Sequence, residues 1–219
     1  MIKHTVFSYL VAAVTTAILL FLPAGTIFYW QGWVFMALFF IPMAFIALYM
    51  VKRSPELLKR RLDTKERKPL QVILAKLFYI TVSSIFVISG LDKRYSWSSL
   101  PITVIMASGF IFLAGYWFLF LVFKENKYLA HTVTVEEGQE TVTTGPYAVV
   151  RHPMYLAELI MFVFAPMLLG SYWGIAPNIL LVIILVIRII TEEEVLLQGL
   201  KGYGEYVRKT RYRLIPGIW

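Results

Sequence analysis

Two polar clusters stand at the edges of long apolar runs. The first is Gly145-Pro146-Tyr147-Ala148-Val149-Val150-Arg151-His152-Pro153-Met154-Tyr155, which crowds an arginine, a histidine and two tyrosines onto the threshold of an apolar stretch beginning at Leu156. The second is Glu192-Glu193-Glu194, just after the last apolar run. Charged groups at a membrane boundary are expensive to desolvate and usually have a function or a partner. If both runs span a membrane, the two clusters end on one face and make a bipolar pocket between lipid and water. Pro153 has no backbone N–H and holds His152 extended, so Arg151 and His152 stay outside a helix that Met154 and Tyr155 start. A helix entrance of that kind favours an anion such as a carboxylate. Lipid-phosphate snorkelling by Arg151 and a capping role for His152 are the structural alternatives.

Arg188 lies inside an apolar run, about one turn before the acidic trio. It either pairs with Glu192 along the helix or aims at a substrate carboxylate inside the bundle. The trio is too dense for solvation alone and calls for a cation, a ligand amine or a hydroxyl-rich ligand.

The elements that must position these groups follow from composition. Of 219 residues, 59% are hydrophobic and 16% aromatic, above the roughly one-half apolar share of soluble domains. Six apolar segments read as spans, roughly 5–22, 30–51, 70–90, 100–123, 155–169 and 175–190. The first four meet the ~20 residues that a crossing needs. The last two are short and are joined tightly through Gly170-Ser171-Tyr172-Trp173-Gly174, as a helical hairpin. The expected architecture is an all-α polytopic membrane bundle of about six spans with a C-terminal helix on the cytoplasmic side. Residues 1–123 would form the N-terminal transmembrane helices and 124–219 the core carrying the pocket. The apolar stretch of the first segment exceeds the ~7–15 residues usual in signal peptides, so it reads as a span.

The net charge is +8. Counted over this topology, the face holding both termini collects most of the lysines and arginines, and the other face collects Lys93 and Arg94. Both termini are therefore expected to be cytoplasmic. Trp30, Trp33, Trp97 and Trp173 then form an outer aromatic belt. The basic residues lie between apolar runs, which points to anionic headgroups at Lys52 to Lys68 rather than nucleic acid.

The segment around Ser54, Pro55 and Glu56 reads as a short helix lying on the membrane, with Leu57, Leu58 and Leu62 as its apolar edge. Residues 124–144 form a long polar connector, which often marks function. It carries a modest hairpin signal, from His131 to Val135 and from Glu140 to Thr143, and reads as a solvated link or a flap over the pocket mouth. Leu196, Leu197, Leu200, Tyr203 and Val207 give residues 191–210 one apolar helical face.

Dinucleotide, phosphate-loop and His-Glu-x-x-His signatures are missing. There are no cysteines and three histidines, His4, His131 and His152. No metal site is expected.

Gly145 to Tyr155, the arginine near the end of the last span, Glu193-Glu194-x-x-Leu197, Gly202-x-x-Glu205-Tyr206 and Arg213-Leu214-Ile215-Pro216 together resemble the isoprenylcysteine carboxyl methyltransferase family over about residues 125–219. The resemblance implies an all-helical membrane core with S-adenosylmethionine as methyl donor and S-adenosylhomocysteine as product. It implies that Arg151, His152, Tyr155, Glu193 and Glu194 bind or frame the cofactor. Tyr147 and Tyr155 can offer ring faces to adenine or to the sulfonium. Arg188 and Glu193 are the candidate catalytic residues, with Arg188 orienting an acceptor carboxylate. The expected acceptor is a lipophilic, isoprenylcysteine-like acid. A phospholipid amine, acted on by an N-methyltransferase, is the alternative. A nicotinamide-dependent membrane reductase and a non-catalytic lipid-binding protein are the readings from other classes.

Overall fold

The computed structural model describes residues 2–62, 68–130, 132, 135–136 and 138–219. Among the described residues eight helices follow one another: α1 (Ile2–Ala24), α2 (Trp30–Arg53), α3 (Pro55–Leu62), α4 (Pro69–Tyr95), α5 (Ile102–Glu125), α6 (Pro153–Leu168), α7 (Asn178–Gly199) and α8 (Tyr203–Lys209). Single turns of 3-10 helix lie at Gly145–Ala148 and Trp173–Ile175. Among the described residues there is no strand. Five helices are long and apolar enough to cross a membrane, α7 together with the turn before it being one, and α6 is a shorter apolar helix of 16 residues. The all-helical polytopic bundle follows the sequence reading.

Lipid tails are as apolar as leucine, so close van der Waals contact, rather than water exclusion, must hold such helices together. The α5–α6 contact is the most extensive in the bundle. It depends on Gly115, where an added Cβ would lie 2.7 Å from Met161 Cγ and 3.5 Å from the Ala157 carbonyl oxygen. Phe35 from α2, Phe86 from α4 and Phe112 from α5 fill the centre, with Phe35 5.3 Å from Phe86 and 5.6 Å from Phe112 between ring centroids. At the bundle end away from the arginine-rich segments, Tyr29 donates its hydroxyl to the Leu169 carbonyl at 2.6 Å. That bond ties the α1–α2 turn to the end of α6. Trp30, Trp33, Trp97 and Trp173 are all exposed at this end, as an interfacial belt requires.

Three local features bear on the sequence reading. The last apolar run ends near residue 190, but the helix does not. α7 continues through the acidic trio to Gly199, because glutamate, leucine and glutamine are good helix formers, so the trio lies inside the helix. The expected helical face over 191–210 is accordingly split, and the chain turns at Gly202 with φ +83°, a conformation that glycine adopts without steric cost. Secondly, α3 is docked on the bundle rather than resting on a surface: Leu57 is 1% and Leu58 4% exposed. Thirdly, the hairpin expected in the polar connector falls partly on residues 131, 133, 134 and 137, outside the described ones. The described part has a turn at Gly138 closed by the Gln139 N–H to the Glu136 carbonyl.

Candidate functional site

The two polar clusters converge. Pro153 is the first residue of α6, and His152 precedes it outside the helix with φ −121° and ψ 62°, not the extended conformation expected before a proline. The backbone N–H groups of Arg151 and His152 donate to the carbonyls of Tyr212 (3.0 Å) and Arg213 (2.9 Å). The C-terminal tail thus pairs with the segment entering α6. The Tyr206 hydroxyl adds a bond to the Tyr147 carbonyl at 2.7 Å.

Glu193 sits at the centre of a buried ion cluster. Its carboxylate accepts Arg151 Nε at 2.5 Å and Nη2 at 3.3 Å, and Arg213 Nε at 2.7 Å. His152 Nε2 lies 3.4 Å away. Arg151 Nη1 donates further to the carbonyls of Thr210 (2.9 Å) and Arg211 (2.8 Å). Four of the five guanidinium N–H groups of Arg151 are therefore used within the protein, so its first task is to join α6, α7 and the tail. Within this cluster two arginines stand against one glutamate, which leaves one surplus arginine charge beside the N-terminus of α6.

Glu192, the next residue on the helix, turns another way. It accepts the Tyr155 hydroxyl at 2.7 Å and lines a cavity with Tyr147, Arg151, His152, Tyr155 and Tyr203. That cavity spans about 850 Å³ with its open mouth and the solvent in it included. Residues of the polar connector, among them Gln139, Glu140 and Thr141, form its cover, as the flap reading expects. Asn126 Nδ2 donates to the Tyr147 hydroxyl at 2.9 Å. The Tyr203 hydroxyl, by contrast, is buried with no hydrogen-bond partner among the described residues. Burial pushes the Tyr147 and Tyr203 phenols up from their ordinary values, so both keep their protons at neutral pH.

Of the residues expected to hold a cofactor, Tyr147, Arg151, His152 and Tyr155 line this cavity. Glu193 lies behind it, held by its cations. Glu194 is exposed and does not reach it. Reading the sequence missed Glu192 as the cavity carboxylate, and missed Tyr203 and the carbonyls of Thr210 and Arg211. Among the described residues no cluster of three or more metal-ligating side chains occurs.

A second cavity of about 370 Å³ adjoins the first, with Met154 and Tyr155 lining both. Arg188, Arg61, Glu158, Ala75, Phe78 and Tyr79 complete its wall. Arg188 is 8% exposed, and its Nε has no hydrogen-bond partner among the described residues. Its guanidinium carbon lies 5.7 Å from the centre of the Tyr155 ring. The helical ion pair with Glu192, one of the two readings of Arg188, is not formed among the described residues. Tyr155 therefore stands between a carboxylate on one side and a guanidinium on the other.

No curated protein matches the chain. Residues 105–198, from the middle of α5 almost to the end of α7, match the family model described as isoprenylcysteine carboxyl methyltransferase (ICMT) family. This segment carries Tyr147, Arg151, His152, Tyr155, Arg188 and Glu192, and over it the chain is similar to that family of methyltransferases.

Proposed function

We propose that the protein transfers the methyl group of S-adenosylmethionine to the carboxylate of a lipophilic, isoprenylcysteine-like acceptor, at the cytoplasmic face of a membrane. The observation that carries this reading is the pair of adjoining cavities sharing Met154 and Tyr155, one bipolar and one facing a buried arginine. The donor set suits the cofactor. The Glu192 carboxylate can take its ammonium or ribose diol. The surplus positive charge of Arg151, Arg213 and Glu193, with the α6 N-terminus, suits its carboxylate. The rings of Tyr147 and Tyr155 suit adenine or a cation.

The cofactor supplies an electrophilic methyl group on a sulfonium. The chain's residues then have little covalent chemistry to do, because a carboxylate oxygen is already nucleophilic and needs no general base. Arg188 would hold the acceptor carboxylate by its planar fork. Tyr155, held by Glu192, would fix the distance between the two cavities. Alignment of this kind contributes about 7–11 kcal/mol to well-oriented reactions. Glu193 on this reading fixes Arg151 and His152 and does not touch reactants. The balance of lysine and arginine along the chain supports cytoplasmic termini.

Glu158 in the second cavity favours one other reading, an amine acceptor deprotonated by that carboxylate. Two guanidiniums beside it oppose an ammonium head. The test is transfer of labelled methyl from S-adenosylmethionine to an S-prenyl N-acetylcysteine and to a phosphatidylethanolamine. Methylation of the acid, with Arg188→Lys binding S-adenosylhomocysteine normally but losing turnover, is the expected result. Methylation of the amine alone would reverse the assignment.

A further inference from the structure

The basic segment between α2 and α4 contains two neighbouring arginines with different surroundings. Arg60 finds a carboxylate: its Nε and Nη2 each donate to Glu136 at 2.7 Å. Arg61 does not. Its Nη1 lies 3.4 Å from the Ala130 carbonyl oxygen and 3.5 Å from Met154 Sδ, and its guanidinium carbon stands 5.3 Å over the Phe123 ring. Among the described residues it forms no ion pair. Leu57 and Leu58 anchor α3, so Arg61 is turned inward by the docking of its own helix. A half-buried guanidinium beside a thioether and a ring, with no ion pair among the described residues, favours an anion that can come up to it.

That something has a place. Arg61 lines the second cavity together with Arg188 and Glu158. Within this wall two guanidiniums stand against one carboxylate, Glu192 lying beyond Tyr155 on the other cavity, so a monoanion would balance the wall itself. The remaining wall includes Ala75 and Phe78 of α4, which suit the apolar neighbour of a charged head. We propose that Arg61 is an acceptor-binding residue, the second guanidinium of a clamp in which it and Arg188 hold the acceptor's anionic head between them. The proposal rests on the reading of the second cavity as the acceptor site. It gives α3 a role in specificity beyond contact with headgroups. It also explains how one acidic side chain, Glu158, can lie in an anion site: it trims the surplus to a single charge, which disfavours both dianionic and cationic heads.

The experiment uses the full chain in lipid nanodiscs and two probes, an S-prenyl N-acetylcysteine and its carboxamide. Affinities for both, and for S-adenosylhomocysteine, are measured for the wild type, Arg61→Gln, Arg61→Lys and Glu158→Gln. In Arg61→Gln the acid is expected to weaken about ten- to a hundredfold, the worth of one hydrogen bond to a charged group. The amide and S-adenosylhomocysteine are expected to bind as before, a pattern that loss of packing would not give. Arg61→Lys should recover part of the acid's affinity. An acid-to-amide ratio in Arg61→Gln equal to the wild-type ratio would overturn the clamp while leaving the methyltransferase reading intact. Wild-type protein that neither binds nor methylates the acid would overturn both. Should Arg61→Gln not fold, Glu158→Gln decides: added surplus charge should tighten the acid relative to the amide, and an unchanged or lower ratio would refute the proposal.

Discussion

Two buried carboxylates, Asp92 and Glu193, sit at opposite ends of the bundle with nearly equal burial, 2% and 4% exposed. They are satisfied in different ways. Asp92 accepts the Ser98 N–H at 2.7 Å, the Ser98 hydroxyl at 2.6 Å and the Ser171 hydroxyl at 2.5 Å. All three donors are neutral, and they staple the α4 end to the turn between α6 and α7. Glu193 instead gathers two arginines and a histidine from the α6 entrance and the tail. Neutral donors satisfy a carboxylate locally and leave its charge alone. Cationic donors reverse the sign of the neighbourhood and make it attractive to an anion. The first arrangement serves stability; the second, on the proposed reading, serves a ligand as well.

The largest effect that would test this contrast is Glu193→Ala. Removing the acid leaves Arg151 buried without its counter-charge, a loss of about 3–5 kcal/mol in comparable cases. The expected outcome is a strongly lowered Tm in detergent, with cofactor binding lost as the tail detaches. Next comes Glu192→Gln. The neighbouring carboxylate faces a cavity, so this variant should keep its Tm while S-adenosylhomocysteine binds about ten- to a hundredfold more weakly. A fall in Tm with unchanged affinity would mean that Glu192 is structural as well.

Asp92→Ala should behave in the opposite manner. It strands the donors of Ser98 and Ser171, at about 1–3 kcal/mol, and should lower Tm without changing cofactor affinity. A loss of affinity would show that the two ends are coupled. The smallest effect belongs to Arg60 and Glu136, a half-exposed pair on the connector. Its hydrogen bond to Arg60 holds the Glu136 carboxyl below its ordinary 4.5. The pair's contribution is therefore complete above the ordinary carboxylate value and is lost as pH falls through the lowered one. Exposed pairs are worth under about 1 kcal/mol, so Glu136→Gln should barely move Tm, while proteolysis of the connector near pH 7 should rise slightly.

The contrast also marks what the chain discloses. Long apolar runs made the spans legible, and Pro153 made the α6 entrance legible with Arg151 and His152 just outside it. Which glutamate faces the pocket was not legible, because three consecutive acidic residues carry no signal of the phase at which the helix turns them inward. Once α7 continues, its buried stripe through Leu181, Leu185, Arg188 and Ile189 carries Glu192 and Glu193 inward and Glu194 outward. The inward turn of Arg61 was hidden for a related reason. A short amphipathic helix has the same pattern whether its apolar edge meets lipid or protein. The bonds from Arg151 to Thr210 and Arg211, and from Asp92 to Ser171, join residues far apart in sequence and leave no periodic trace.

The central claim is that the cavity between the α6 entrance and Glu192 holds S-adenosylmethionine. Calorimetric titration of S-adenosylhomocysteine into the purified full-length protein and into Glu192→Gln tests it most directly. The account predicts saturable one-site binding to the wild type and a loss of about tenfold or more in the variant. No saturable binding to the folded wild type, or equal affinity in both proteins, would contradict it.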